Sequence, residues 1–195
     1  MAVQRSFLAA FKHIVPADLE FYLEEKNAEG LILVPLKGTS VFSLLFTEEA
    51  PKRYKYAVDC PTIPKAMYMK KLSDDGWEYL GQSMNRYLWR KEYEEGERPG
   101  DFSDKLGQYR HCLQLGLILL VLALVFVGLF GALCYTLYRE YSLGGMDPKR
   151  FAAYLVVIAF QLPFVFLFFG GSVKLLKELP VLKGKMDYQR AVRKV

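Results

Sequence analysis

Two histidines and three cysteines are the residues of this 195-residue chain best suited to metal or nucleophilic chemistry, and their spacing limits what they can do. His13 stands alone near the N-terminus, His111 and Cys112 are neighbours, and Cys60 and Cys134 are remote from both. A structural or catalytic zinc needs three or four converging ligands. One adjacent His-Cys pair supplies two, so neither a metal site nor a cofactor is expected. The neighbouring carboxylates Asp74 and Asp75 precede Gly76; adjacent acids at a helix end read as a solvated turn rather than as a general acid and base. The chain carries no GxSxG, HExxH, phosphate-binding loop or dinucleotide fingerprint. Gly170-Gly171 closes an apolar run and reads as a helix breaker. No catalytic constellation stands out, and the expected class is not an enzyme.

The remaining pattern that could bind something is aromatic. Tyr54, Tyr56, Trp77, Tyr79, Tyr87 and Trp89 recur at period two on neighbouring strand segments. Cross-strand ring pairs stabilise a sheet without any further role. The functional alternative is one sheet face that presents its rings to an apolar ligand or a partner, and these six residues are the candidate face.

The elements that must position them follow from periodicity. Residues 6–14 read as a strand. Residues 16–28 read as a helix, with Leu19, Tyr22 and Leu23 on one face. Residues 31–36 and 40–47 form a hairpin across Lys37-Gly38-Thr39. A strand at 53–60, a helix at 61–75 and a hairpin of 77–82 with 86–92 over Ser83-Met84-Asn85 repeat the order. This is β-α-β-β twice, a duplicated α+β domain over residues 1–92, with helices on an antiparallel sheet of about six strands.

The segments LEEKNAEGLILV, VFSLLF, RYKYAVD and DDGWEYLGQSMNRYLWRK resemble the bacterial domain of unknown function 2812 (DUF2812) family. The resemblance covers about residues 7–92 and implies a membrane-anchored protein, often encoded beside a PadR-type transcriptional regulator. The family has no assigned activity, so the resemblance carries no functional residues across. The duplicated β-α-β-β arrangement is also similar to the GyrI-like effector-binding fold, which takes small molecules or partners in a central groove.

Two uncharged runs explain the 52% hydrophobic content: 26 residues at 113–138 and 23 at 151–173. A bilayer core needs about 20 apolar residues in a helix, so both read as transmembrane helices. The loop at 139–150 contains Gly144, Gly145 and Pro148 and turns the pair into a hairpin. Pro163 falls inside the second span, where it predicts a kink. Gly128, Gly131 and Ala132 allow close helix contact, within the hairpin or in a homo-oligomer.

Charge sets the orientation. Residues 1–112 hold 16 basic and 17 acidic side chains, whereas the tail at 174–195 holds seven basic and two acidic. The net charge of +5 therefore belongs to the tail, which argues against direct nucleic-acid binding and for Lys174, Lys177, Lys183 and Lys185 lying on anionic lipid. By the same rule both termini are expected in the cytoplasm. The FLAAF stretch near the N-terminus is too short for a cleaved signal. The acidic segment at 93–112, with Gly96, Pro99 and Gly100, is expected to be a flexible linker. Together these features predict a multi-pass protein of the bacterial cytoplasmic membrane. Its expected role is that of a non-catalytic accessory or sensor whose domain binds a partner protein or small ligand. The competing expectation is an oligomeric channel or an auxiliary subunit of an export system.

Overall fold

The computed structural model of the chain describes residues 3–36, 43–49, 52–60, 65–100, 102, 104–144 and 147–192. In order these form β1 (Val3–Phe7), α1 (Ala9–Lys12), α2 (Pro16–Ala28), β2 (Leu31–Leu33), β3 (Ser43–Glu48) and β4 (Tyr54–Asp59). Then come α3 (Lys65–Asp74), β5 (Glu78–Ser83), β6 (Arg86–Glu92), α4 (Lys105–Ser142) and α5 (Pro148–Val192). Two compact units result, one of Met1–Cys112 with Glu178–Val195 and one of Leu113–Lys177.

The first unit is α+β, with antiparallel strands throughout. The first strand overlaps the expected 6–14 only at Ser6 and Phe7, and residues 9–12 are helical instead. Leu8 adopts a left-handed conformation (φ 55°), and its carbonyl accepts the N–H groups of Phe11 and Lys12. That reversal starts α1 and buries Ala9 and Ala10. The turn expected at 37–39 and the start of the second helix at 61–64 lie outside the described residues.

Among the described residues the strands form two sheets of three, ordered β1-β3-β2 and β4-β6-β5, where one sheet of about six was expected. The reason is local. Pro35 has no N–H to continue the β2 ladder. Beyond it, the Leu36 N–H bonds the Leu80 carbonyl of β5, so a backbone bond joins the two edges. Gly81 sits at a bulge there with φ of 124°, and a Cβ on it would fall 2.7 Å from Leu36 Cβ. Glycine is what lets the two sheets meet. A common core crosses the junction: Leu19 and Leu23 of α2 pack with Leu33, Phe46, Tyr56, Val58, Leu80 and Leu88. Burying side chains of this size stabilises by about 1.5–3 kcal/mol each. A second core, Ala57, Tyr68, Leu72, Trp77 and Trp89, lies under α3.

The second unit is a helical hairpin. Both α4 and α5 are long and apolar enough to cross a membrane. Phe126 of α4 meets Phe164 and Phe168 of α5 at 5.8 and 5.5 Å between ring centres. Nearer the other end, the Ser172 hydroxyl donates to the Gly116 carbonyl at 2.9 Å. The helices exceed the expected spans, with 38 and 45 residues, and α4 ends only at Ser142. Pro163 and Gly170-Gly171 all lie inside α5, so the glycine pair does not end the helix.

Candidate functional site

Register decides the fate of the aromatic series. On β4 and β6 the pairs are Tyr56 with Arg90, Ala57 with Trp89, Val58 with Leu88 and Asp59 with Tyr87. Directly paired residues share a face. Tyr54 and Tyr56 therefore turn toward the α2 core, while Tyr87 and Trp89 turn toward α3 together with Tyr79. Trp77 packs there as well, against Phe102 at 4.4 Å. Tyr56, Trp77 and Trp89 are 1%, 6% and 0% exposed. The six rings thus split between two cores and form no single open face. Period two identifies alternation along a strand but not which neighbour shares the face. Burial pushes the Tyr56 phenol up to about 12. Arg90 lies over the Tyr54 ring at 4.8 Å and clamps Glu78 with two bonds of 2.6 and 3.0 Å.

What the first unit builds instead is a polar clasp around edge strand β4. The Val58 N–H donates to Glu20 Oε1 of α2 at 2.8 Å, and its carbonyl accepts from Gln108 Nε2 of α4 at 2.8 Å. Asp59 is fully buried; its carboxylate accepts the Tyr68 hydroxyl at 2.6 Å and the Asp104 N–H at 2.8 Å. Burial raises the Asp59 pKa above its ordinary 3.8, against the opposing pull of those two donors. Gly107 lets α4 lie directly on the strand, because a Cβ there would overlap the Cys60 carbonyl. Residues 105–112 are therefore the first turns of α4, and Phe102 and Asp104 before them are docked, where a flexible linker was expected. A cavity of about 40 Å³ adjoins the clasp, lined by Glu20, Lys105, Gln108, Glu178 and Lys185 among others. It suits one or two waters.

A second buried group, Arg86, ties the two repeats together. Its guanidinium donates to the carbonyls of Ile14 at 2.7 Å, Ala10 and His13 at 3.2 Å, and Ser83 at 3.5 Å. Burial lowers its pKa to about 10. The neighbouring Cys60 thiol is pushed up by burial, which keeps it protonated and unreactive. His13 stacks on Tyr22 at 4.3 Å between ring centres. Among the described residues, no three His, Cys, Asp or Glu side chains converge as metal ligands. Asp74 ends α3, and the Asp75 carbonyl caps the Lys91 ammonium at 2.7 Å.

In the hairpin, Gly128, Gly131 and Ala132 are exposed, and nothing lies within 4 Å of a Cβ placed on either glycine. The close approach of the helices occurs at Gly116, where a Cβ would meet Leu176 at 3.2 Å. At the turn end, the Tyr154 hydroxyl donates to Glu140 Oε1 at 3.3 Å beside a cavity of about 350 Å³. Lys174, Lys177, Lys183 and Lys185 are exposed on α5, with Lys185 bordering the small cavity of the first unit.

A family model described as protein of unknown function (DUF2812) matches residues 17–124, from α2 into α4. No curated protein and no solved structure matches the chain.

Proposed function

The chain belongs to the DUF2812 family of unknown function, and from that premise we propose that it is a non-catalytic, membrane-anchored accessory or sensor protein. The two long helices cross the cytoplasmic membrane as a hairpin, with the α+β domain and both termini in the cytoplasm. The observation that supports a relay role is the β4 clasp. Asp59, Val58 and Cys60 hold the first turns of α4 by buried hydrogen bonds and by the contact at Gly107. That helix runs unbroken from Lys105 to Ser142. A change in the membrane that moves α4 is then felt at the domain core, which alters what the domain binds. The partner proposed is a PadR-type regulator held at, or released from, the membrane. Since the six rings are largely in the cores, the partner surface is sought on the outer face of α2 and α3, where Phe21 and Met67 are exposed.

Co-purification of the detergent-solubilised chain with a PadR-type regulator encoded beside it tests this reading. Retention of the regulator that is lost in Phe21→Glu or Met67→Glu supports it; no association with either the wild type or the variants removes it. Exposed Gly128, Gly131 and Ala132 favour a second reading, self-association through α4 into a channel or an auxiliary subunit of an export system. Sizing in detergent separates the two, since a pore requires a ring of several copies and a monomer excludes it.

A further inference from the structure

The turn end of the helical hairpin carries the ingredients of a lipid headgroup site. The cavity of about 350 Å³ is lined by Leu133, Glu140, Arg150, Ala153, Tyr154 and Val157, a size that accommodates a headgroup and the first methylenes of a chain. Its apolar wall is Leu133, Ala153 and Val157. Its polar end holds one carboxylate, one guanidinium and one phenol. Glu140 uses Oε1 to accept the Tyr154 hydroxyl at 3.3 Å. Glu140 Oε2 is buried, and no donor reaches it among the described residues. A buried carboxylate oxygen without a donor is costly, so the site calls for a ligand that brings an N–H. Arg150 is exposed at the same cavity and offers a fork suited to a phosphate. A simple hydrophobic cation would satisfy Glu140 and be repelled by Arg150. An anionic lipid would satisfy Arg150 and leave Glu140 Oε2 bare. A headgroup with both charges serves both residues, and only a primary ammonium, unlike a quaternary one, donates to Glu140.

We propose that this cavity binds a zwitterionic phospholipid whose headgroup ends in a primary ammonium, with the ammonium on Glu140, the phosphate on Arg150 and a chain along Leu133, Ala153 and Val157. The proposal rests on the reading of α4 and α5 as a membrane hairpin. The test is co-purification of lipid with the full chain from nanodiscs of mixed phosphatidylethanolamine, phosphatidylcholine and phosphatidylglycerol, quantified by mass spectrometry. Enrichment of phosphatidylethanolamine over phosphatidylcholine by about tenfold is expected, the factor that one good charge-assisted hydrogen bond supplies. Glu140→Gln should remove the preference for ethanolamine over choline, and Arg150→Gln should lower retention of both. Ala153→Phe, which fills the cavity and leaves both charges in place, should release the lipid. Equal retention of the three lipids, or a preference for phosphatidylglycerol, overturns the proposal. A wild type that enters nanodiscs and shows no preference leaves the membrane reading standing, whereas failure to enter nanodiscs overturns both.

Discussion

Replacing Asp59 by Ala removes the acceptor that holds α3 and α4 against β4, and the cost follows from what it leaves behind. The Tyr68 hydroxyl, in a residue 6% exposed, and the Asp104 N–H lose their partner together. Each orphaned buried donor costs about 1–3 kcal/mol. Removing the carboxylate also relieves its own burial, the effect that raises its pKa. The balance is a loss of about 2 kcal/mol, which lowers the Tm of a unit this size by roughly 6–10 °C. Hydrogen exchange should locate the damage, with protection falling first over residues 104–112. The pH dependence has a definite sign. Folded Asp59 holds its proton more tightly than the unfolded residue, so the native state binds more protons between pH 3.8 and the raised value. The stability contributed by this group therefore falls as pH climbs through that window. The Tm gap between wild type and Asp59→Ala should accordingly narrow from acid toward neutral pH, and Asp59→Asn should show little slope there. Thermal unfolding of the detergent-solubilised chain across that range reads both effects. Unchanged protection at 104–112, or a gap that widens with pH, would refute the clasp.

Arg86→Met should destabilise the first unit by about 3–5 kcal/mol, because the Ala10 carbonyl of α1 and the His13 and Ile14 carbonyls after it lose a charged donor. Ser83→Ala, across the two-residue turn Met84-Asn85, should be neutral or stabilising by up to about 1 kcal/mol, since the buried Ser83 hydroxyl has no partner among the described residues; denaturant titration separates the pair. Gly107→Ala should push α4 off the Cys60 carbonyl and cost about 1–3 kcal/mol, visible as faster exchange at residues 105–112 with β5 and β6 unaffected. Cys60 should resist maleimide at pH 8 in the folded chain and react once it is denatured, because burial both covers the thiol and raises its pKa.

The helix at 16–28 was readable from the spacing of Leu19, Tyr22 and Leu23, and the structure forms it over the same residues. The last hairpin was equally plain, because Met84 and Asn85 accept positive φ between two alternating segments. The split of the sheet was less visible. It depends on Pro35 and on the meeting of Leu36 with Gly81, residues 45 positions apart whose proximity no local pattern reports. The clasp was hidden for a related reason. Asp59 reads as the end of an aromatic strand, and Gln108 reads as one polar residue before an apolar run; only the folded chain shows that both bond across β4. Arg86 gave no signal at all, since an arginine after a turn is ordinarily a surface residue.

Edge strands are templates for adding a further strand from another molecule. On β4 the amide hydrogen and carbonyl of Val58 are both already occupied by side chains of α2 and α4, so at this position a neighbouring copy finds no free hydrogen-bonding group. Glu20 and Gln108 thus cap both outward backbone groups of Val58 on this edge. Removing those caps, for instance with Glu20→Ala and Gln108→Ala together, would leave that N–H and carbonyl open to an added strand.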